Sequence, residues 1–166
     1  VPSAQRGKIA KFLEAQSMPD LALSVATDPD HRFDLAVQLG QFDVALDIAR
    51  HGPASGAEMR WRTIGDQALA HWDVALAQEC FKHANDVHSL FLVATAQQDK
   101  ALLSHVAEAA RAKGELNLAV AALVQLQDTR GVVDVLMQAQ RLPEAALFAR
   151  TYAPHLVPET VRAWKA

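Results

Sequence analysis

The sequence predicts an all-α fold: an α-solenoid of short antiparallel helical hairpins with irregular, tetratricopeptide-like repeats. Three observations lead there. Apolar residues recur at helical spacing nearly everywhere, as in Phe42, Ala45, Leu46 and Ala49, or Leu116, Ala119, Leu123 and Leu126. Strand signals are missing, because Val, Ile, Thr and aromatic residues do not cluster in alternating runs and no Asn-Gly or Asp-Gly pair marks a tight β-turn. One turn-and-helix pattern also returns along the chain, a small-plus-large pair a few residues after each turn with another alanine four residues on.

About twelve helices follow in order. The first spans 4 to 17, and the second, 19 to 26, carries a copy of the pattern in Met18-Pro19-Asp20-Leu21-Ala22-Leu23 with Ala26. Thr27-Asp28-Pro29 supplies a capping side chain and a first-turn proline for a helix over 29 to 39, which Gly40 stops. Gln41-Phe42-Asp43-Val44-Ala45-Leu46 with Ala49 opens the helix at 42 to 51. The longest interruption, His51 to Gly56, is still too short for a domain linker. Helices at 57 to 70 and 73 to 84 follow, the latter through His71-Trp72-Asp73-Val74-Ala75-Leu76; then come 86 to 97 and 99 to 113, ended by Gly114. Gly114-Glu115-Leu116-Asn117-Leu118-Ala119 begins 115 to 126, a helix spans 129 to 139, and Gln140-Arg141-Leu142-Pro143-Glu144-Ala145-Ala146 with Ala149 begins 142 to 152. The last helix covers 157 to 165. Connections this short turn each helix back on its predecessor. The matched alanines lie 23, 30, 44 and 26 residues apart, too irregular for a strict array with a period of about 34 residues. In the pattern, the small residue allows close approach of the paired helix and the larger one fills the space beside it.

Composition narrows the function classes. Hydrophobic residues make up 51% of the chain and aromatic ones only 6%, so Ala, Leu and Val supply most of the apolar surface, which suits closely packed helices. A formal charge of −3 offers no basic field for a phosphate backbone, so nucleic acid is not expected as a partner. No apolar run reaches the roughly 20 residues that span a bilayer, and no signal peptide opens the chain, so a soluble protein is expected. The single cysteine, Cys80, rules out an internal disulfide and fits a reducing compartment. Because it begins at Val1, the sequence reads as one solenoid segment, 1 to 166, of a longer chain.

No constellation points to an enzyme, a cofactor or a metal. Cys80 and His83 share a helix face, but a structural zinc needs four ligands and no companions accompany them, so a buried thiol beside a surface histidine is the simpler reading. His88 points elsewhere. Asp28 and Asp30 flank a proline and read as caps rather than as a paired acid and base. Glu14, Asp20, Asp66 and Asp73 lie at helix starts or on surfaces, without the partners that would tune a carboxyl for proton transfer. Gly-rich phosphate loops and nucleophile elbows are absent. The candidate interaction residues are Arg60, Trp61 and Arg62, with Trp72 following, and Arg150 with Tyr152. Against them stands the reading that Trp61 and Trp72 plug the core of one hairpin, and that Arg141, Arg150 and Tyr152 serve a helix C-terminus. The alanine-rich face of residues 101 to 112 lacks the bulky side and basic rim of an interfacial membrane helix.

Two stretches are more specific than any repeat rule, Ala26-Thr27-Asp28-Pro29-Asp30-His31-Arg32-Phe33-Asp34-Leu35-Ala36-Val37-Gln38-Leu39-Gly40 and Arg141-Leu142-Pro143-Glu144-Ala145-Ala146-Leu147-Phe148-Ala149-Arg150-Thr151-Tyr152-Ala153-Pro154. Both resemble the α-solenoid of the coatomer beta-prime subunit family, part of the coat of COPI transport vesicles. Phe12-Leu13-Glu14, Leu76-Ala77-Gln78-Glu79-Cys80 and Val161-Arg162-Ala163-Trp164-Lys165 fit the same family, and the likeness is weakest at Val87 to Leu90 and Val120 to Gln127. The resemblance implies a non-enzymatic scaffold in vesicle-mediated protein transport between and from Golgi membranes. Its partners would be the coatomer alpha-subunit solenoid and other coat subunits, and its contact with the membrane indirect. The family's cargo-reading WD40-type propellers lie outside these residues. An adaptor solenoid of another membrane-traffic or intraflagellar-transport complex, binding short peptides in a groove, is the alternative.

Overall fold

A computed structural model of the chain describes residues 3–165, with side chains from residue 5 onward. Among the described residues there are twelve α-helices, one 3-10 turn and no strand. Contacts divide the chain after Asp86 into two units. The first holds α1 (Ser3–Ala15), α2 (Pro19–Val25), α3 (Pro29–Gln38), α4 (Phe42–His51), α5 (Ala57–Ala70) and α6 (Val74–His83). The second holds α7 (Val87–Gln97), α8 (Lys100–Lys113), α9 (Leu116–Gln125), α10 (Thr129–Gln138), α11 (Leu142–Tyr152), the 3-10 turn Pro154–Leu156 and α12 (Val157–Lys165). Within each unit consecutive helices pack on one another, the α-solenoid arrangement of helical hairpins.

One corner builds most of these hairpins. The residue after the helix turns left-handed, and the next amide bonds back five residues to the preceding helix, the C-terminal motif that closes orphan carbonyls. Met18 N donates to Leu13 O, Gln41 to Ala36, Asp73 to Ala68, Asp99 to Ala94, Glu115 to Ala110, Asp128 to Leu123 and Arg141 to Leu136, all at 2.9 to 3.0 Å. The left-handed residues are Ser17, Gly40, Trp72, Gln98, Gly114, Gln127 and Gln140, with φ between 53° and 76°. The next helix starts at once, capped in three cases by an aspartate: Asp73 accepts from Leu76 N, Asp99 from Leu102 N and Asp128 from Gly131 N.

The corner also sets which side chain enters the core. Five residues past each left-handed position stands a buried residue: Ala22, Ala45, Ala77, Leu103, Ala119, Val132 and Ala145. Four of these corners carry a buried alanine on the preceding helix as well, at Ala36, Ala68, Ala94 and Ala110, so the two helices approach closely beside the turn. The copy at His71 to Leu76 is corrected by this geometry. Trp72 is the left-handed residue, so the core position is Ala77, fully buried, while Ala75 is exposed.

Polar side chains tie several helices to the next but one. Arg60 of α5 reaches Asp30 of α3, Arg50 of α4 pairs with Glu79 of α6, and Thr95 of α7 donates to Gln125 of α9. Arg111 of α8 donates to Gln138 of α10, Arg130 of α10 holds Glu159 of α12 with two nitrogens, and Arg141 reaches back from the start of α11 to Asn117 of α9. Most of these pairs are exposed, so each adds little on its own.

Candidate interaction surface

In the first unit, the three consecutive residues proposed on α5 face different ways. Trp61 is 7% exposed and stacks on His83 of α6, ring centroids 4.4 Å apart. Arg60 is also buried, at 5% exposure. Its Nη1 donates to Asp30 Oδ1 at 2.8 Å and its Nη2 to the carbonyl of Pro53, while Nε has no hydrogen-bond partner among the described residues. Arg60 therefore staples α3 and the 52–56 loop to α5, and only Arg62, half-exposed and paired with Asp86 at 3.1 Å, faces outward. Asp30 receives the buried guanidinium and Asp28 alone caps α3, bonding His31 N at 3.1 Å, which corrects the expectation that both aspartates cap. Trp72 does not plug the core; it is 87% exposed, because the left-handed corner turns it out of the hairpin.

Cys80 is fully buried and His83 is exposed, so the two form no site. Burial, reinforced by the charge of Glu79, pushes the Cys80 thiol up to about 11. The thiol thus stays protonated and unreactive at neutral pH. Among the described residues no three His, Cys, Asp or Glu side chains gather into a metal-holding group. No described helix is long and apolar enough to cross a membrane.

In the second unit, Arg150 and Tyr152 lie near the end of α11. Arg150 is exposed and makes no ion pair among the described residues, whereas Tyr152, 64% exposed, lies against Phe148 with ring centroids 4.8 Å apart. Arg141 is already engaged by Glu144 and Asn117, and its hydrogen bond holds the Glu144 carboxyl below its ordinary range. Tyr152 and Phe148 wall an apolar groove of about 470 Å³, completed by Val124, Gln127, Thr129 and Val132. Exposed Leu147 lies on the same helix. Two further grooves occur in the first unit, one of about 540 Å³ between the starts of α4 and α6, and one of about 600 Å³ between α1 and the start of α3. Sequence reasoning missed these grooves because each draws its lining from a helix and the next but one, α1 with α3, α4 with α6, and α9 with α11 across α10. It found Tyr152 through its residue type alone.

These surfaces are open, partly apolar grooves of a kind suited to protein contact. The profile of the COPA/B TPR domain family matches residues 1–165. The chain belongs to that family. It is 39% identical to "Coatomer subunit beta'" of Drosophila melanogaster, 37% to that of Homo sapiens and 38% to "Coatomer subunit beta'-2" of Oryza sativa subsp. japonica, in each case over 99% of its length. It spans 18% of the length of these relatives. The likeness thus runs through both units and is not confined to the two motif stretches.

Proposed function

We propose that this chain is a non-enzymatic scaffold segment of a COPI coat subunit of the beta-prime type. It acts in vesicle transport at the Golgi by docking the solenoid of the coatomer alpha subunit and other coat subunits. The observation that carries the reading is the end-to-end identity of 37–39% with coatomer beta-prime relatives, in a chain whose candidate surfaces are grooves rather than a reactive centre. The mechanism is shape complementarity on the surfaces of packed helical hairpins. Attachment to the membrane is indirect, through the assembled coat on the cytoplasmic side.

Arg62, Arg150 and Tyr152 are the residues assigned to contact. Tyr152 offers a large ring at the mouth of an apolar groove and Arg150 an exposed charge with no ion-pair partner among the described residues, the residue types that dominate binding energy at interfaces. Arg60 and Trp61 act indirectly, by shaping α5. A chimera tests the proposal: this chain replaces the corresponding segment of the Drosophila subunit in cells depleted of the native protein. Recruitment of the chimera to Golgi membranes, weakened by Tyr152→Ala with Arg150→Glu, is the expected result. A chimera that is folded and abundant yet stays diffuse contradicts it.

A further inference from the structure

Trp72 is not explained by the fold. At a left-handed φ of 62° a bulky side chain is strained, and the equivalent corner positions hold Gly40, Gly114, Ser17, Asn85, Gln98, Gln127 and Gln140. Nor does the ring gain anything from burial, being the most exposed large apolar side chain among the described residues at 87%. The residue that follows it, Asp73, lines the groove of about 540 Å³ between the starts of α4 and α6. The apolar part of that groove is Phe42, Val44, Leu46 and Leu76, all partly buried, and Phe42 is braced edge-on by His71 at 5.7 Å.

We propose that this groove, together with exposed Trp72 next in sequence to its lining residue Asp73, docks a short extended segment of a partner protein that carries an arginine beside an aliphatic residue. The charge of the site selects that chemistry. Two carboxylates, Asp43 and Asp73, line the groove, and no lysine or arginine does. The amino ends of α4 and α6 oppose them with roughly half a positive charge each, so the two full negative charges prevail and a cation is favoured. Asp47 lies one turn beyond Asp43 and adds to the same field, although His51 engages it at 3.0 Å. Asp73 commits Oδ1 to capping Leu76 N, while Asp43 has no capping duty. An exposed indole is the preferred face for a guanidinium, and the apolar floor takes the neighbouring aliphatic side chain. The site lies within the first unit and is separate from Arg150 and Tyr152, so it does not depend on the coat assignment.

The test uses the whole 166-residue chain, labelled with ¹⁵N, and a blocked Gly-Arg-Leu-Arg-Val-Gly peptide beside its counterpart with glutamate at both arginine positions. The arginine peptide is expected to move the Trp72 indole and Gly40 amide signals saturably. Trp72→Gly should raise Kd about tenfold, read at Gly40, and Asp43→Asn about fivefold, with melting temperatures at or above that of the parent. Should Trp72→Gly disturb the fold, Asp43→Asn carries the comparison alone. The proposal is overturned by no saturation at millimolar peptide, or by folded variants that bind as tightly as the parent. Equal binding of the glutamate peptide would make the groove an apolar site indifferent to charge. Shifts that follow chain concentration without peptide would make a second copy the occupant. Either outcome removes the arginine reading.

Discussion

Replacing Gly65 with alanine sets two effects of known size against each other. Gly65 is buried within α5, where exchanging glycine for alanine ordinarily stabilises a helix by about 1 kcal/mol. Here the added Cβ would stand 2.6 Å from Phe81 Cε1, 2.9 Å from Cδ1 and 3.0 Å from Cζ. Carbon atoms rest about 3.5–4.0 Å apart, so the ring must retreat by roughly 1 Å. Phe81 is fully buried on α6, in an interior that is close-packed. Overpacking of this kind costs about 1–3 kcal/mol, which matches or outweighs the propensity gain and leaves a net loss of up to about 2 kcal/mol. Urea unfolding followed by far-UV circular dichroism should show it, with a thermal midpoint lower by up to roughly 8 °C. In a Phe81→Leu background the clash is gone, and the same substitution should stabilise by about 1 kcal/mol. A Gly65→Ala chain more stable than the parent would refute the close α5–α6 packing described above.

Three further outcomes follow from the same structure. Asp99→Ala removes the cap on Leu102 N and should cost about 1 kcal/mol in urea unfolding, with Asp99→Asn close to neutral. Asp30→Ala deprives the buried Arg60 of its counter-charge; with Asp30 itself largely exposed, the loss should be about 1–3 kcal/mol, larger than for a surface ion pair such as Arg50–Glu79, and Asp30→Ala with Arg60→Met should recover part of it. Because the folded Cys80 thiol titrates near 11, above its ordinary value of 9.0, the native state holds that proton more tightly than the unfolded chain does. Its stabilisation is complete below the ordinary value and is lost as pH rises from there towards 11, by roughly 2 kcal/mol. Unfolding free energies at pH 8 and 10.5 should diverge by that amount between the parent and Cys80→Ala.

Much of this architecture was legible in the sequence because its signals are local. The stops at Gly40 and Gly114, the cap and proline at Asp28-Pro29 and the apolar spacing in α4 and α9 put helix ends within a residue or two of their observed places. Where the reading slipped, the information was not local. Most corner positions are left-handed without being glycine, so nothing in Trp72 announced a turn residue; the matched alanine there was displaced from Ala77 to Ala75, and the tryptophan was drawn inside. The 3-10 turn at Pro154–Leu156 is too short to carry a period of its own. The burial of Arg60 depends on Asp30 and Pro53, which reach it only once α3 and the 52–56 loop have packed on α5. Bridges and grooves between a helix and the next but one have no periodic signature, so the candidate surface could be anticipated only as residue types.

Docking of this chain onto a second coat solenoid is measured by gel filtration with light scattering of the chain, alone and mixed with a coatomer alpha-subunit solenoid from the same source. Co-elution at a defined stoichiometry is expected, weakened by Tyr152→Ala with Arg150→Glu. Separate elution of two folded proteins would contradict it.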